Sequence, residues 1–237
     1  MPEHPGGSLA KRPLQFVWIV DCSGSMQGKK IESLNLAIKE SIKPMQEVAV
    51  ENPNAEVLVR VIKFSDGAQW HVSQPTEIHN FKWTDLDADG VTDMGKALTM
   101  VSDALKLENM PQRGLPPVLV LVTDGQPTDD FNGGLKALMD QAWGKKAVRI
   151  GVYITDRDGE TEGLDVLQKF IGNAEVKPLV ASNVQDLAKK IKWASTVPLK
   201  AASNPASRTT DTPGAGANVQ IPAPPSDAAP ASAADVF

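Results

Sequence analysis

Residues 14–20, Leu14-Gln15-Phe16-Val17-Trp18-Ile19-Val20, form a run of β-branched and aromatic side chains that stops at Asp21. Without polar alternation, such a run predicts a strand covered on both faces, as in a parallel sheet between two layers of helices. Working outward, Ile31, Leu34, Ile38, Ile42 and Met45 recur at helical spacing, with Pro44 placed to kink or split that helix. Residues 57–64 read as a second buried strand, and the Asp66-Gly67 turn leads into a shorter one at 68–73. A tight turn makes that pair antiparallel, which puts it at an edge.

The alternation continues. Met94, Ala97, Leu98, Val101 and Leu105 mark a helix, and Val118-Leu119-Val120-Leu121-Val122 is the most apolar strand, ended by Thr123-Asp124-Gly125. A helix at 135–143, a strand at 148–154, a helix at 164–170, a strand at 176–180 and a helix at 184–193 complete the pattern. The prediction is an α/β fold: a doubly wound, mostly parallel six-stranded sheet, Rossmann-like, with helices on both faces and one antiparallel edge strand.

Composition sets the boundaries. Residues 1–13 read as an extension, 14–197 as one domain and 198–237 as a disordered tail, since the last 37 positions hold 11 Ala and 6 Pro with four charged residues and one aromatic. That tail has too little apolar surface to offset the entropy of ordering it. The net charge of −5 is spread without a basic block, which argues against nucleic acid as the partner. The single cysteine, Cys22, excludes an internal disulfide, and no apolar run approaches the roughly 18 residues of a membrane span. A cytoplasmic protein is the simplest expectation.

In a doubly wound sheet, ligands sit beyond the carboxyl ends of the strands where the strand order reverses. Asp21 and Asp124 both occupy such ends. In Asp21-Cys22-Ser23-Gly24-Ser25, alternate side chains of an extended backbone present one carboxylate and two hydroxyls to one side, while Cys22 points away as a small buried residue. Asp89-Gly90-Val91-Thr92-Asp93 opens a later helix and adds Thr92. Asp21, Ser23, Ser25, Thr92 and Asp124 are thus candidate oxygen donors, a set suited to Mg²⁺, with Mn²⁺ or Ca²⁺ as alternatives, and unsuited to Zn²⁺ or Cu²⁺. Only two of the five carry charge. A divalent ion here would be under-neutralised and would favour one more carboxylate from outside.

The Asp-x-Ser-x-Ser run at 21–25, Thr92 after Gly90, and Thr123-Asp124-Gly125, in that order, resemble the metal-ion-dependent adhesion site of von Willebrand factor A domains. The resemblance covers about residues 14–195. It implies that Ser23, Ser25 and Thr92 are direct or near-direct ligands, that Asp21 and Asp124 act directly or through water, and that a partner protein supplies an Asp or Glu. Asp89-Gly90 departs from the family's frequent double glycine, which bears on loop geometry rather than ligand count. The Asp124-Gly125-Gln126-Pro127-Thr128 stretch resembles the bacterial tellurite-resistance (TerY) type. That narrower resemblance implies a stress-response role in the company of a Ser/Thr protein kinase and a PP2C-like phosphatase.

Rival readings concern the same residues. Asp85-x-Asp87-x-Asp89-Gly90 begins like an EF-hand, but its twelfth position is Lys96, which cannot coordinate a cation. Asp21 and the serines alone fit a turn and helix cap. Asp21 at a strand end also fits the nucleophile of a metal-dependent phosphohydrolase, although Ser23 stands where such enzymes carry a second Asp. Ser203, Ser207, Thr209, Thr210, Thr212, Ser226 and Ser232 make a scaffold regulated by tail phosphorylation a third reading. Trp70 and Trp83, in less regular stretches, are candidate interface anchors if exposed. The expectation across these readings is a non-enzymatic, metal-dependent interaction module.

Overall fold

The computed structural model describes residues 11–156, 162–203 and 221–225. Its sheet has the order β3-β2-β1-β4-β5-β6, with β1 at Arg12–Asp21, β2 at Ala55–Ser65, β3 at Gly67–Glu77, β4 at Val118–Thr123, β5 at Val148–Ile154 and β6 at Leu179–Ala181. All pairings are parallel except that of β2 with the edge strand β3. This is the expected doubly wound sheet, and its order reverses between β1 and β4.

The uninterrupted apolar runs are explained by the two faces. Phe16, Trp18 and Val20 of β1, with Val118, Val120 and Val122 of β4, join one core cluster, while Val17, Ile19, Leu119 and Leu121 join the other. The first lies under α1 (Lys29–Glu51) and α6 (Val184–Ser203), which contribute Leu34, Ile38, Leu187 and Ile191. The second lies under α2 (Met94–Ala104), α3 (Phe131–Asp140) and α5 (Leu164–Ile171), with Leu98, Val101, Leu138, Leu167 and Phe170. Trp18 is fully buried and meets Phe16 edge-on at 5.3 Å. Truncating it to Ala would cost about 3–5 kcal/mol.

Several boundaries differ from expectation. Pro44 does not split its helix: α1 is one element, with Ile38 and Met45 buried on either side of the proline. Packing along α1 outweighs the roughly 3 kcal/mol that an interior proline costs. The helix expected at 135–143 is two, α3 and the short α4 (Ala142–Lys146), separated where Gln141 takes an extended backbone. β3 runs four residues past 73, to Glu77, because β2 pairs with it along the whole edge. α6 continues through Pro198 to Ser203, with Leu199 and Ala202 buried, so ordered structure passes the expected domain end at 197. Residues 221–225 are also placed against the domain, whereas the rest of the predicted tail and residues 1–10 lie outside the described residues. Neither candidate anchor is a free aromatic. Trp70 is half-buried beneath the Arg60 guanidinium, 3.7 Å from the ring centroid, and half-buried Trp83 donates its indole N–H to Asn35.

Candidate metal centre

Asp21 closes β1 and Asp124 follows β4, the two neighbours at the reversal point. Pairing of Val20 with Val122 sets Asp21 beside Thr123, whose hydroxyl donates to Asp21 Oδ2 at 2.5 Å. The Ser23 backbone N–H donates to Asp21 Oδ1 at 2.8 Å, turning the chain sharply out of the strand. The Ser23 and Ser25 hydroxyls lie 3.0 Å apart, and Ser25 donates to Asp124 Oδ1 at 2.7 Å. Four of the five candidate donors therefore share one continuous hydrogen-bonded crevice. Ser25 is its exposed member, while Asp21, Ser23 and Asp124 are buried.

Thr92 reaches the crevice by a different route. Gly24 donates its N–H to Gly90 O at 2.9 Å, and Asp89 donates to Cys22 O at 2.8 Å, so the 89–90 backbone lies along the Asp21 loop. On the far side, the Thr92 N–H donates to Thr128 Oγ1, and its carbonyl accepts from Thr128 N. The Thr92 loop is thus wedged between the other two segments, although no side-chain hydrogen bond joins Thr92 to the other four donors among the described residues. Asp129 steadies it by accepting from Gly95 N and Lys96 N at the start of α2, both at 2.8 Å. Asp93 accepts from Gly67 N at 2.7 Å and from Lys96 Nζ, whose hydrogen bond holds the Asp93 carboxyl below its usual range. Gly90 has φ +84°, and a Cβ there would stand 2.7 Å from the Asp66 carboxylate, which accepts from Val91 N. The positive φ and this close approach favour glycine at that point.

The electrostatics are unequal. Burial pushes the Asp21 carboxyl up to about 6 against the opposing hydrogen bonds of Ser23 and Thr123, and no ion pair reaches it among the described residues. Asp124 has a counter-ion: Lys30 Nζ lies 2.8 Å from its Oδ2 and 4.0 Å from Asp156. A buried carboxylate without a cation, beside hydroxyls already turned toward it, fits a divalent ion. No three His, Cys, Asp or Glu side chains converge on one point among the described residues, so hydroxyls must complete the donor set. Burial pushes the Cys22 thiol up to about 12, which makes it unreactive, as expected of a small core residue.

Sequence reasoning missed Lys30, Thr123, Thr128 and Asp129. Thr123 was legible as the residue before Asp124 at a strand end. Lys30 is the second residue of α1, next to the solvent-facing Lys29, and nothing in its spacing marked it. The EF-hand reading fails on geometry as well as on Lys96: no helix flanks residues 85–89 at their N-terminal side, and Asp85 pairs with Lys39 at 2.7 Å.

Residues 16–126 match the family model of the von Willebrand factor type A domain. The match ends two residues past Asp124. Among solved structures, the chain is similar to the ArnB paralog VWA2 from Sulfolobus acidocaldarius, at 14% identity and a TM-score of 0.56, over 78% of this chain and 45% of that one. It is similar to the pilus adhesin SpaC from Lactobacillus rhamnosus GG, at 14% identity and a TM-score of 0.60, over 79% of this chain and 31% of that one. It is also similar to proximal thread matrix protein 1 from the mussel byssus, solved with a zinc-occupied metal-ion-dependent adhesion motif, at 15% identity and a TM-score of 0.57, over 81% and 46%. At these identities the likeness is one of fold, and the chain spans less than half the length of the first structures it resembles. No curated protein matches it.

Proposed function

We propose that the domain is a metal-dependent protein-interaction module whose divalent ion is held by Asp21, Ser23, Ser25, Thr92 and Asp124 and completed by an Asp or Glu of a partner. The observation that carries this reading is the convergence of the three segments at the reversal point, with Asp21 buried and no cationic side chain paired with it among the described residues. Lys30 strengthens it. Two carboxylates and one ammonium sum to −1, so a bound divalent ion leaves a surplus of +1 in a part-buried crevice, which favours an anionic partner group. The ion supplies a Lewis-acidic anchor for that group, while the protein's own residues set its position and charge.

The hydroxyl-rich donor set favours Mg²⁺, with Mn²⁺ or Ca²⁺ as alternatives. A solved neighbour carries zinc at the corresponding motif, so zinc belongs in the same competition experiment. A non-enzymatic role fits Asp21 better than a nucleophile does: it is fully buried at the base of the crevice, held by hydrogen bonds from Ser23 N and Thr123 Oγ1. The setting we infer is a bacterial tellurite or stress-response system containing a Ser/Thr protein kinase and a PP2C-like phosphatase. This rests on the 124–128 motif.

Affinity purification with Mg²⁺ and with EDTA tests partner and metal together. The reading expects a partner retained only with the metal and lost in Asp21→Ala; equal retention under all three conditions would overturn it.

A further inference from the structure

At the opposite pole of the sheet, where β5 and β6 begin, a groove of mixed lining runs between the strand ends and α6, and residues 221–224 form part of its wall beside a cavity of about 750 Å³. Val148, Ile150, Val176, Leu179 and Trp193 line it. The length of β5 separates it from the metal centre by roughly 20 Å, so the two sites share no residue. Residues Ile221-Pro222-Ala223-Pro224-Pro225 lie over this groove. Ile221 is half-buried against the sheet's core cluster, and the four residues after it are exposed.

Three features make this more than a chance contact. Ile221 is the single isoleucine of residues 204–237, and it is the residue that enters the groove. Pro222, Pro224 and Pro225 fix three of five φ angles, so seating the segment costs little backbone entropy, and Pro222 and Pro224 line the groove together with Trp193. A groove with an aromatic side chain in its wall taking a proline-rich segment is a recurrent recognition mode. The rim also carries Lys145 and Lys177, and the sequence places Asp227 two residues beyond Pro225.

We propose that this groove is a binding site for an extended proline-rich segment led by an isoleucine, and that residues 221–225 of the same chain are its resident ligand. The site is independent of the metal centre. It gives the domain two poles: one takes an acidic group through a cation, and the other takes an Ile-Pro-x-Pro-Pro strand by apolar contact. The tail is then a tethered occupant that any second proline-rich segment must displace.

The test uses isotope-labelled full-length protein and its Ile221→Asp variant. Shift differences should be confined to Val148, Ile150, Leu179 and the Trp193 indole, with the signals of 21–25 and 124–126 as the control for intact folding. A synthetic peptide of residues 217–229 should return the variant's groove signals to their wild-type positions. The same peptide carrying Asp in place of Ile should not, and wild-type protein should bind the peptide at least about tenfold more weakly because its own tail competes at high effective concentration. Superposed spectra of wild type and variant at the groove, or no shift on adding the peptide to the variant, would overturn the site. Groove differences that grow with protein concentration would assign the occupant to a second copy and overturn the intramolecular assignment.

Discussion

The proposed metal centre has two arms that are built in opposite ways. In the arm formed by the Asp21 loop and Asp124, side chain bonds to side chain: Thr123 to Asp21, Ser23 to Ser25, Ser25 to Asp124 and Asp124 to Lys30. The Thr92 arm lies in a stretch without regular structure, residues 78–93, and is held by backbone bridges to Cys22 and Gly24 and by Asp66, Asp93, Thr128 and Asp129 around it. The first arm supplies the charge and inherits its precision from two neighbouring buried strands. The second supplies a neutral donor and is placed by contacts that do not involve that donor. Damage to the first should therefore remove the ion, whereas damage to the second should loosen its hold.

The sharpest break in that comparison is Asp21→Ala or Asp124→Ala. Each removes half the formal charge of the donor set, and calorimetric titration with Mn²⁺ should detect no binding at concentrations that saturate the wild type.

A second effect belongs to the same arm and concerns the metal-free protein. The folded Asp21 carboxyl sits near 6, above its ordinary value of 3.8, so the folded state takes up a proton that the unfolded chain has already lost. Stability in EDTA should accordingly fall as pH rises from about 4 to above 6, by up to about 3 kcal/mol. Denaturant unfolding of Asp21→Asn should lack that component, making this variant more stable than the wild type at pH 7 without metal although it binds none.

On the Thr92 side, Gly90→Ala forces a side chain into positive φ and against Asp66. It should cost about 1–3 kcal/mol in urea unfolding and weaken the ion indirectly. Thr92→Ala leaves the loop's backbone bridges in place and should cost about tenfold in metal affinity. The smallest change is Lys30→Gln, which removes the ammonium that competes for Asp124. It should tighten Mn²⁺ binding a few-fold, roughly the worth of a part-exposed charge contact, while weakening an acidic partner.

What the sequence made legible follows the same division. The strands β1 and β4 were readable because burial on both faces leaves no polar alternation, and their abrupt ends at Asp21 and Thr123-Asp124 marked the crevice. The sheet's single reversal makes those two ends neighbours. The Thr92 arm was legible only as a motif in order, since backbone bridges such as Gly24 to Gly90 leave no trace in residue type. Lys30 was illegible for a related reason: a lysine that folds back over a strand end reads like the exposed Lys29 beside it. The unbroken run of α1 through Pro44 and the extension of α6 to Ser203 were not legible because tertiary packing decided them. The tail composition, correctly read as poor in apolar surface, concealed the one isoleucine that docks.

The most direct test of the centre is paramagnetic line broadening of the labelled protein by Mn²⁺, because it reports where the ion sits along the chain. At one equivalent, the account predicts simultaneous broadening of amides in 22–26, 90–93 and 124–126, reversed by EDTA. Broadening centred on the acidic stretch 85–89, or absent from any one of the three segments, would contradict the claim that they form a single site.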